Sequence, residues 1–156
     1  MTNYAELEVK TNFSFLRGAS HPEELIDRAA KLGLAAIALN DFDGVYAIPK
    51  AYWHSKGYPQ LKLICGASVN VADHPRLTFL ARDRASYGLL CRLLTAAHSG
   101  KEKGGAVLSW EELLSFLAEP AAVGLFCLAP LDSHCARLKP LFGERRLFLT
   151  LQRLQD

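Results

Sequence analysis

Short apolar runs alternate with segments of helical period along almost the whole chain, and no other feature restricts the fold as tightly. Tyr4 to Val9 alternates like a strand, and a turn through Thr11 to Ala19 follows. Ser20-His21-Pro22-Glu23 then reads as a capping box with a proline in the first turn, so a helix is expected to begin there. Leu25, Ile26, Ala29, Ala30 and Leu32 supply its apolar face, and Gly33 is placed to end it in a left-handed conformation. Ala35 to Leu39 has the continuous apolar character of a buried strand.

The pattern repeats. Asn40-Asp41-Phe42-Asp43-Gly44 is rich in turn formers, and Val45 to Ser55 reads as a helix that Pro49 kinks or delays. Leu61 to Val71 is a strand whose Gly66 signals a bulge or a close backbone approach. After a turn at Asp73-His74-Pro75 come a short strand, Leu77 to Ala81, and an apolar helix, Arg84 to Ala97, ended by Gly100. Lys101 to Gly105 has loop composition, and Ser109-Trp110-Glu111-Glu112 is a second capping box for a helix through Leu117. A strand at Val123 to Leu128, a helix near Ser133 to Leu141 and a strand at Arg146 to Leu151 complete the chain. Such alternation predicts an α/β fold of about six mostly parallel strands with flanking helices.

With 156 residues, half of them hydrophobic (50%), the chain is long enough for one core, and residues 1–156 read as a single domain without internal repeats. A net charge of +2 names no partner class by itself. Runs such as Leu34 to Leu39 and Ala121 to Pro130 fall short of the roughly 20 residues that a membrane span needs. The reading is therefore of a chain with neither signal peptide nor membrane span. Cys65, Cys91, Cys127 and Cys135 form no C-x-x-C, and three of them lie in apolar stretches, which points to buried thiols in a reducing, cytoplasmic compartment.

In parallel α/β folds chemistry collects at the carboxyl ends of strands. Those places hold Glu8 and Lys10 after the first strand, Asp41 and Asp43 after the second and Ser68 on the third, with Arg76 leading into the fourth. The stretch opening at Tyr4 (YAELEVKTNFSFLRGAS) resembles the start of the polymerase and histidinol phosphatase (PHP) domain of bacterial C-family DNA polymerases, in particular the error-prone, DNA polymerase III alpha-subunit-like branch. HPEELIDRAAKLGLAAIALND, FDGVYAIPKAYW, LICGASV, PRLTFLARDRASYGLLCRLLTAA, LSWEELL and RLFLTLQR continue the resemblance in order. It implies a partial or distorted PHP-type (β/α) barrel, truncated against a full barrel of roughly 250 residues.

Against that family the metal site is degenerate. The His-x-His pair expected at the end of the first strand is Glu8 and Lys10, the Asp-His after the second is Asp41-Phe42, a glutamate is replaced by Ser68, and a histidine by Arg76. The resemblance thus implies a pseudoenzyme without metal, in which Lys10 and Arg76 replace cation charge and pair with Glu8 and Asp41. No cofactor is expected. The implied role is a structural or interaction platform in DNA replication, repair or translesion synthesis, partnered by the remainder of a C-family polymerase or its subunits, with any DNA contact indirect. A homodimer through an open barrel edge is a further expected partner.

Two other functions fit the same residues. One is a phosphoesterase or exonuclease with rearranged ligands Glu8, Asp41 and Asp43 and Mg, Mn or Zn; the other is a stand-alone adaptor for polymerase subunits or DNA. The plainer readings are that Asp41 and Asp43 are turn residues and that His21, His54, His74, His98 and His134 are surface or capping groups. Lys101, Lys103, Arg137, Arg145, Arg146 and Arg153 read as a solvated face. Phe13, Phe15, Tyr46, Tyr52 and Trp53 read as core rather than as stacking platforms.

Overall fold

A computed structural model describes residues 4–131 and 135–151. Strand β1 (Ala5–Val9) leads to helix α1 (Pro22–Lys31), β2 (Ala36–Leu39), α2 (Ile48–Ser55), β3 (Lys62–Val69) and β4 (Leu77–Ala81). Then come α3 (Arg84–His98), α4 (Trp110–Leu117), a 3-10 turn (Pro120–Gly124), β5 (Leu125–Pro130), α5 (Cys135–Phe142) and β6 (Leu147–Thr150). The expected helix start at Ser133, together with His134 and Arg153, lies outside the described residues.

The strands form one six-stranded sheet in the order β1-β2-β3-β4-β5-β6. Neighbours are parallel except that β4 runs antiparallel to both β3 and β5. The sheet curls into a half-barrel with helices on its outer face, and β1 and β6 are its edges. Reversing β4 has one consequence for the site: its first residues sit at the rim where the other strands end, so Arg76 joins Lys10, Asp41 and Ser68.

Two clusters hold the helices to the sheet. Ile26 and Ala29 of α1 and Ile48 and Ala51 of α2 pack on Ile37 and Leu39, while Leu89, Leu90, Leu93 and Leu113 from α3 and α4 pack on Val69, Phe79 and Cys127. A third, smaller cluster lies on the concave inner face: Ala38, Leu80 and Leu128, flanked by Ile64 and Phe126. Gly66 explains how β3 and β4 fit there. A Cβ at this position would stand 2.6 Å from the Phe79 carbonyl and 2.7 Å from Leu80 Cδ2.

Element ends depart from the sequence reading in several places: α2 starts at Ile48 rather than Val45, β3 ends at Val69 rather than Val71, and two further departures have local causes. The α1 box is shifted by one residue: His21 is the N-cap, and its N–H donates to Glu24 Oε2 at 2.8 Å. Pro22 takes the first helical position, where its missing N–H costs nothing, and that places the cap at residue 21 rather than at Ser20. Val123 belongs to the 3-10 turn, so β5 begins only at Leu125. There Gly124 lies against Ser86 and Asp83, closer than any side chain would allow. The Ser109 box forms as expected, with the Ser109 hydroxyl accepting from Glu112 N–H at 3.1 Å.

Candidate functional site

The rim is built around Asn40 and Asp41, which leave the end of β2. Asp41 is 2% exposed. Its carboxylate accepts from Thr11 N–H at 2.7 Å and the Ser14 hydroxyl at 2.6 Å on Oδ1, and from the Thr11 hydroxyl at 2.8 Å on Oδ2. Those bonds tie the loop after β1 to the end of β2. Asp41 is thus an internal anchor whose charge is satisfied by protein donors.

Asp43 turns the other way. Its φ of 52° is left-handed, and its carboxylate is gripped by Arg76, Nη1 to Oδ1 and Nη2 to Oδ2, both at 2.8 Å. Asn70 N–H adds a third bond to Oδ1 at 3.0 Å, and Arg76 Nη1 also reaches the Ser68 carbonyl at 3.1 Å. His98 Nε2 donates to the Asp43 carbonyl at 2.7 Å, linking the far end of α3 to the same turn.

Lys10, just past β1, directs its ammonium at three oxygens. These are the Asn40 carbonyl at 2.5 Å, Asn40 Oδ1 at 2.7 Å and Ser68 Oγ at 2.6 Å. Each partner is itself held: Asn40 Nδ2 donates to the Leu7 carbonyl at 2.6 Å, and Ser68 Oγ bonds to Thr78 Oγ1 at 2.7 Å. Phe42 stands between the two cations, its ring centroid 5.2 Å from Lys10 Nζ and 4.5 Å from Arg76 Cζ. Burial pushes the Lys10 pKa down to about 8, against the opposing pull of Glu8 and Asp41. At pH 7 the group is therefore still mainly ammonium.

A cleft of about 760 Å³ opens over this rim, lined by Glu8, Lys10, Arg17, Phe42, Ser68 and Arg76. The strand-end positions named from the sequence thus converge, except that Asp41 faces the loop behind the cleft. Their pairing differs from expectation. Among the described residues Lys10 makes no ion pair with Glu8 or Asp41, and Arg76 pairs with Asp43 instead. The reason is local: Thr11 and Ser14 consume the Asp41 carboxylate, while the left-handed turn at residue 43 swings the next one toward Arg76. Asn40, Thr11, Ser14 and Thr78 were not singled out from sequence. Asn40 could have been, because it directly follows a strand.

Residues 6–153 match the family model described as the PHP domain. The chain belongs to the PHP domain family. An error-prone DNA polymerase of Anaeromyxobacter sp. (strain K) is 48% identical over 153 residues, covering 91% of this chain and 13% of that protein. Error-prone DNA polymerase 1 of Agrobacterium fabrum (strain C58) is 39% identical over 155 residues, covering 96% of this chain and 14% of its own length. The PHP chain therefore spans only about an eighth of the curated relatives it matches. A solved structure from Bifidobacterium adolescentis assigned as a metal-dependent phosphoesterase superposes with a TM-score of 0.50 at 19% identity, over 74% of this chain and 44% of that one. That likeness shows the shared fold.

The donor set of this PHP rim does not fit the divalent metal that the family resemblance implies. Among the described residues no group of three His, Cys, Asp or Glu is placed to hold an ion. Both Asp41 oxygens and both Asp43 oxygens are engaged by protein donors, and the Lys10 ammonium occupies Asn40 Oδ1 and Ser68 Oγ.

The histidines have other partners. His54 Nε2 bonds to Asp27 Oδ1 at 2.6 Å, His74 stacks on Trp110 at 4.4 Å, and His21 caps α1. Arg146 is not a solvated cation: it donates to the Ala122 carbonyl at 2.9 Å and also to Leu125 and Leu141 carbonyls. Nor are the five aromatics core. Phe13, Phe15, Tyr46, Tyr52 and Trp53 are all exposed; for Tyr52 and Trp53 the reason is that the inward positions of α2 belong to the smaller Ile48 and Ala51.

Proposed function

We propose that this PHP domain is a metal-free structural platform serving an error-prone C-family DNA polymerase, in the cytoplasm, with Lys10 acting as a tethered cation where catalytic relatives place metal. The observation that carries this reading is the Lys10 ammonium on Asn40 O, Asn40 Oδ1 and Ser68 Oγ. A fixed positive charge there satisfies the oxygens of the rim while offering no coordination site and no activated water. Arg76 on Asp43 does the same for the neighbouring carboxylate. The relatives named error-prone DNA polymerase, much longer than the matched stretch, support a place beside the polymerase body. Reduced thiols at Cys65, Cys91 and Cys127 suit a reducing compartment.

The test is elemental analysis of protein purified without added metal, followed by phosphatase and exonuclease assays with Mg, Mn and Zn. Substoichiometric metal and no activity are expected. Stoichiometric metal, with activity abolished in Asp43→Asn, would establish the phosphoesterase reading and overturn this one. Asp43 is the informative carboxylate for that purpose, since replacing Asp41 would disrupt the loop it anchors.

A further inference from the structure

From Gly44 to Lys62 the chain contains no Asp or Glu, yet it holds Lys50, Lys56, Lys62, Tyr46, Tyr52, Trp53 and Tyr58. The structure turns part of this segment into a surface. Ile48 and Ala51 face the core, which leaves Lys50, Tyr52, Trp53 and Lys56 outward on α2 with Tyr46 just before it. Tyr46, Tyr52 and Trp53 are 58%, 53% and 69% exposed. Three large rings on one short helical segment are more than the scattered apolar exposure of an ordinary surface.

Their arrangement is specific. The Tyr52 and Trp53 rings meet edge to face, with centroids 5.8 Å apart and planes at 67°. Lys56 Nζ lies 3.7 Å from the Trp53 centroid and 4.8 Å from that of Tyr52, so one ammonium sits over both rings. Asp27, the carboxylate that α1 brings against this helix, accepts from both His54 and the Tyr58 hydroxyl, the latter at 2.7 Å. Its carboxylate is only about one-third exposed (37%) and is already engaged by those two donors.

We propose that the outer face of α2 binds single-stranded nucleic acid, with Tyr52 and Trp53 stacking on bases and Lys50 and Lys56 meeting phosphates. Charge complementarity selects this occupant: α2 with its C-cap carries two outward lysines and no carboxylate of its own, the neighbouring Asp27 is already engaged by His54 and Tyr58, and the outward side chains include no aliphatic anchor of the kind a protein groove receives. The crossed ring planes select a single strand, whose unstacked bases can meet surfaces at different angles, over a duplex, whose base faces are hidden. This function is separate from the rim site and does not depend on its metal content.

The probe is a fluorescein-labelled oligo(dT) of roughly 20 nucleotides, longer than one binding site. Anisotropy should report affinity on the order of micromolar at about 50 mM salt, weakening steeply as salt rises. Trp53→Ala and Tyr52→Ala should each weaken binding by about 5- to 100-fold. The double change Lys50→Gln/Lys56→Gln should reduce the slope of log affinity against log salt by about 1.4. Unchanged circular dichroism and melting would show that these exposed substitutions leave the fold intact. Quenching should come from Trp53 and be absent in Trp53→Ala, since Trp110 is covered by the mutually contacting His74 and Arg137 side chains. Absence of binding, binding indifferent to Trp53→Ala, or equal affinity for duplex would each overturn the proposal. Trp53-dependent capture of a polymerase polypeptide without oligonucleotide binding would assign the face to protein docking and overturn it as well.

Discussion

At the scale of single residues, Lys10 is the group that completes the rim. Replacing it with methionine keeps its bulk but leaves Asn40 Oδ1 and Ser68 Oγ without their donor, at an expected cost of about 1–3 kcal/mol in urea unfolding. The pH dependence has a definite sign. Burial lowers the Lys10 pKa from 10.5 to about 8, so between these values the unfolded chain binds more protons than the folded one. Stability attributable to Lys10 therefore rises with pH through this window, because folding no longer has to hold a buried charge. Urea midpoints measured across the window should converge on this pattern for the natural chain and lack it in Lys10→Met; parallel profiles would sink the assignment. Asp41→Ala removes three hydrogen bonds to a buried carboxylate and strands Thr11 and Ser14, with an expected loss of about 3–5 kcal/mol, readable as a lowered thermal midpoint. An unaltered midpoint would contradict its role as an anchor. Sequence located both residues at strand ends, but not the hydrogen bonds they make, whose partners lie 27 to 58 positions away and meet only when β1, β2 and β3 pair in register.

At the scale of elements, the strands and helices were readable because local chemistry and tertiary packing agree. Gly33 and Gly100 end α1 and α3 at φ of 68°, a conformation in which glycine has no side-chain penalty. Two of the misread boundaries have equally local causes in Pro22 and Gly124. Asp83, which caps α3 by accepting from Ser86 N–H at 2.9 Å, went unnoticed because its partner at the third helical position is serine rather than glutamate. Gly66 tests the β3–β4 contact most sharply. A methyl group there must push back the Phe79 carbonyl, which is backbone, so Gly66→Ala should cost about 1–3 kcal/mol and speed amide exchange along β4. Unaltered stability and exchange would show that the two strands are not packed this closely.

At the scale of the whole molecule, the half-barrel leaves its edges β1 and β6 each with one neighbour. The two edges share a cleft of about 330 Å³ lined by Tyr4, Leu7, Leu128, Phe148 and Leu151. Phe148 and Leu149 are roughly half exposed, on opposite faces of the same strand. An uncovered apolar edge of this kind favours association. The isolated chain should therefore form a dimer whose population rises with concentration in analytical ultracentrifugation, and Phe148→Lys should return it to a monomer. A natural chain that sediments as a monomer at every concentration would rule this out. Which strands become the edges is set by the order of pairing.

Sequence by itself determined the α/β class and the family, because both are carried by residue identity at spacings along the chain. Tertiary structure alone decided that Asp43 rather than Asp41 receives Arg76, that Lys10 rests on neutral oxygens, and that five aromatic side chains face solvent. These are outcomes of strand register, of one left-handed turn and of which side of α2 meets the sheet. They depend on where distant segments arrive in space, and that information is distributed over the whole fold.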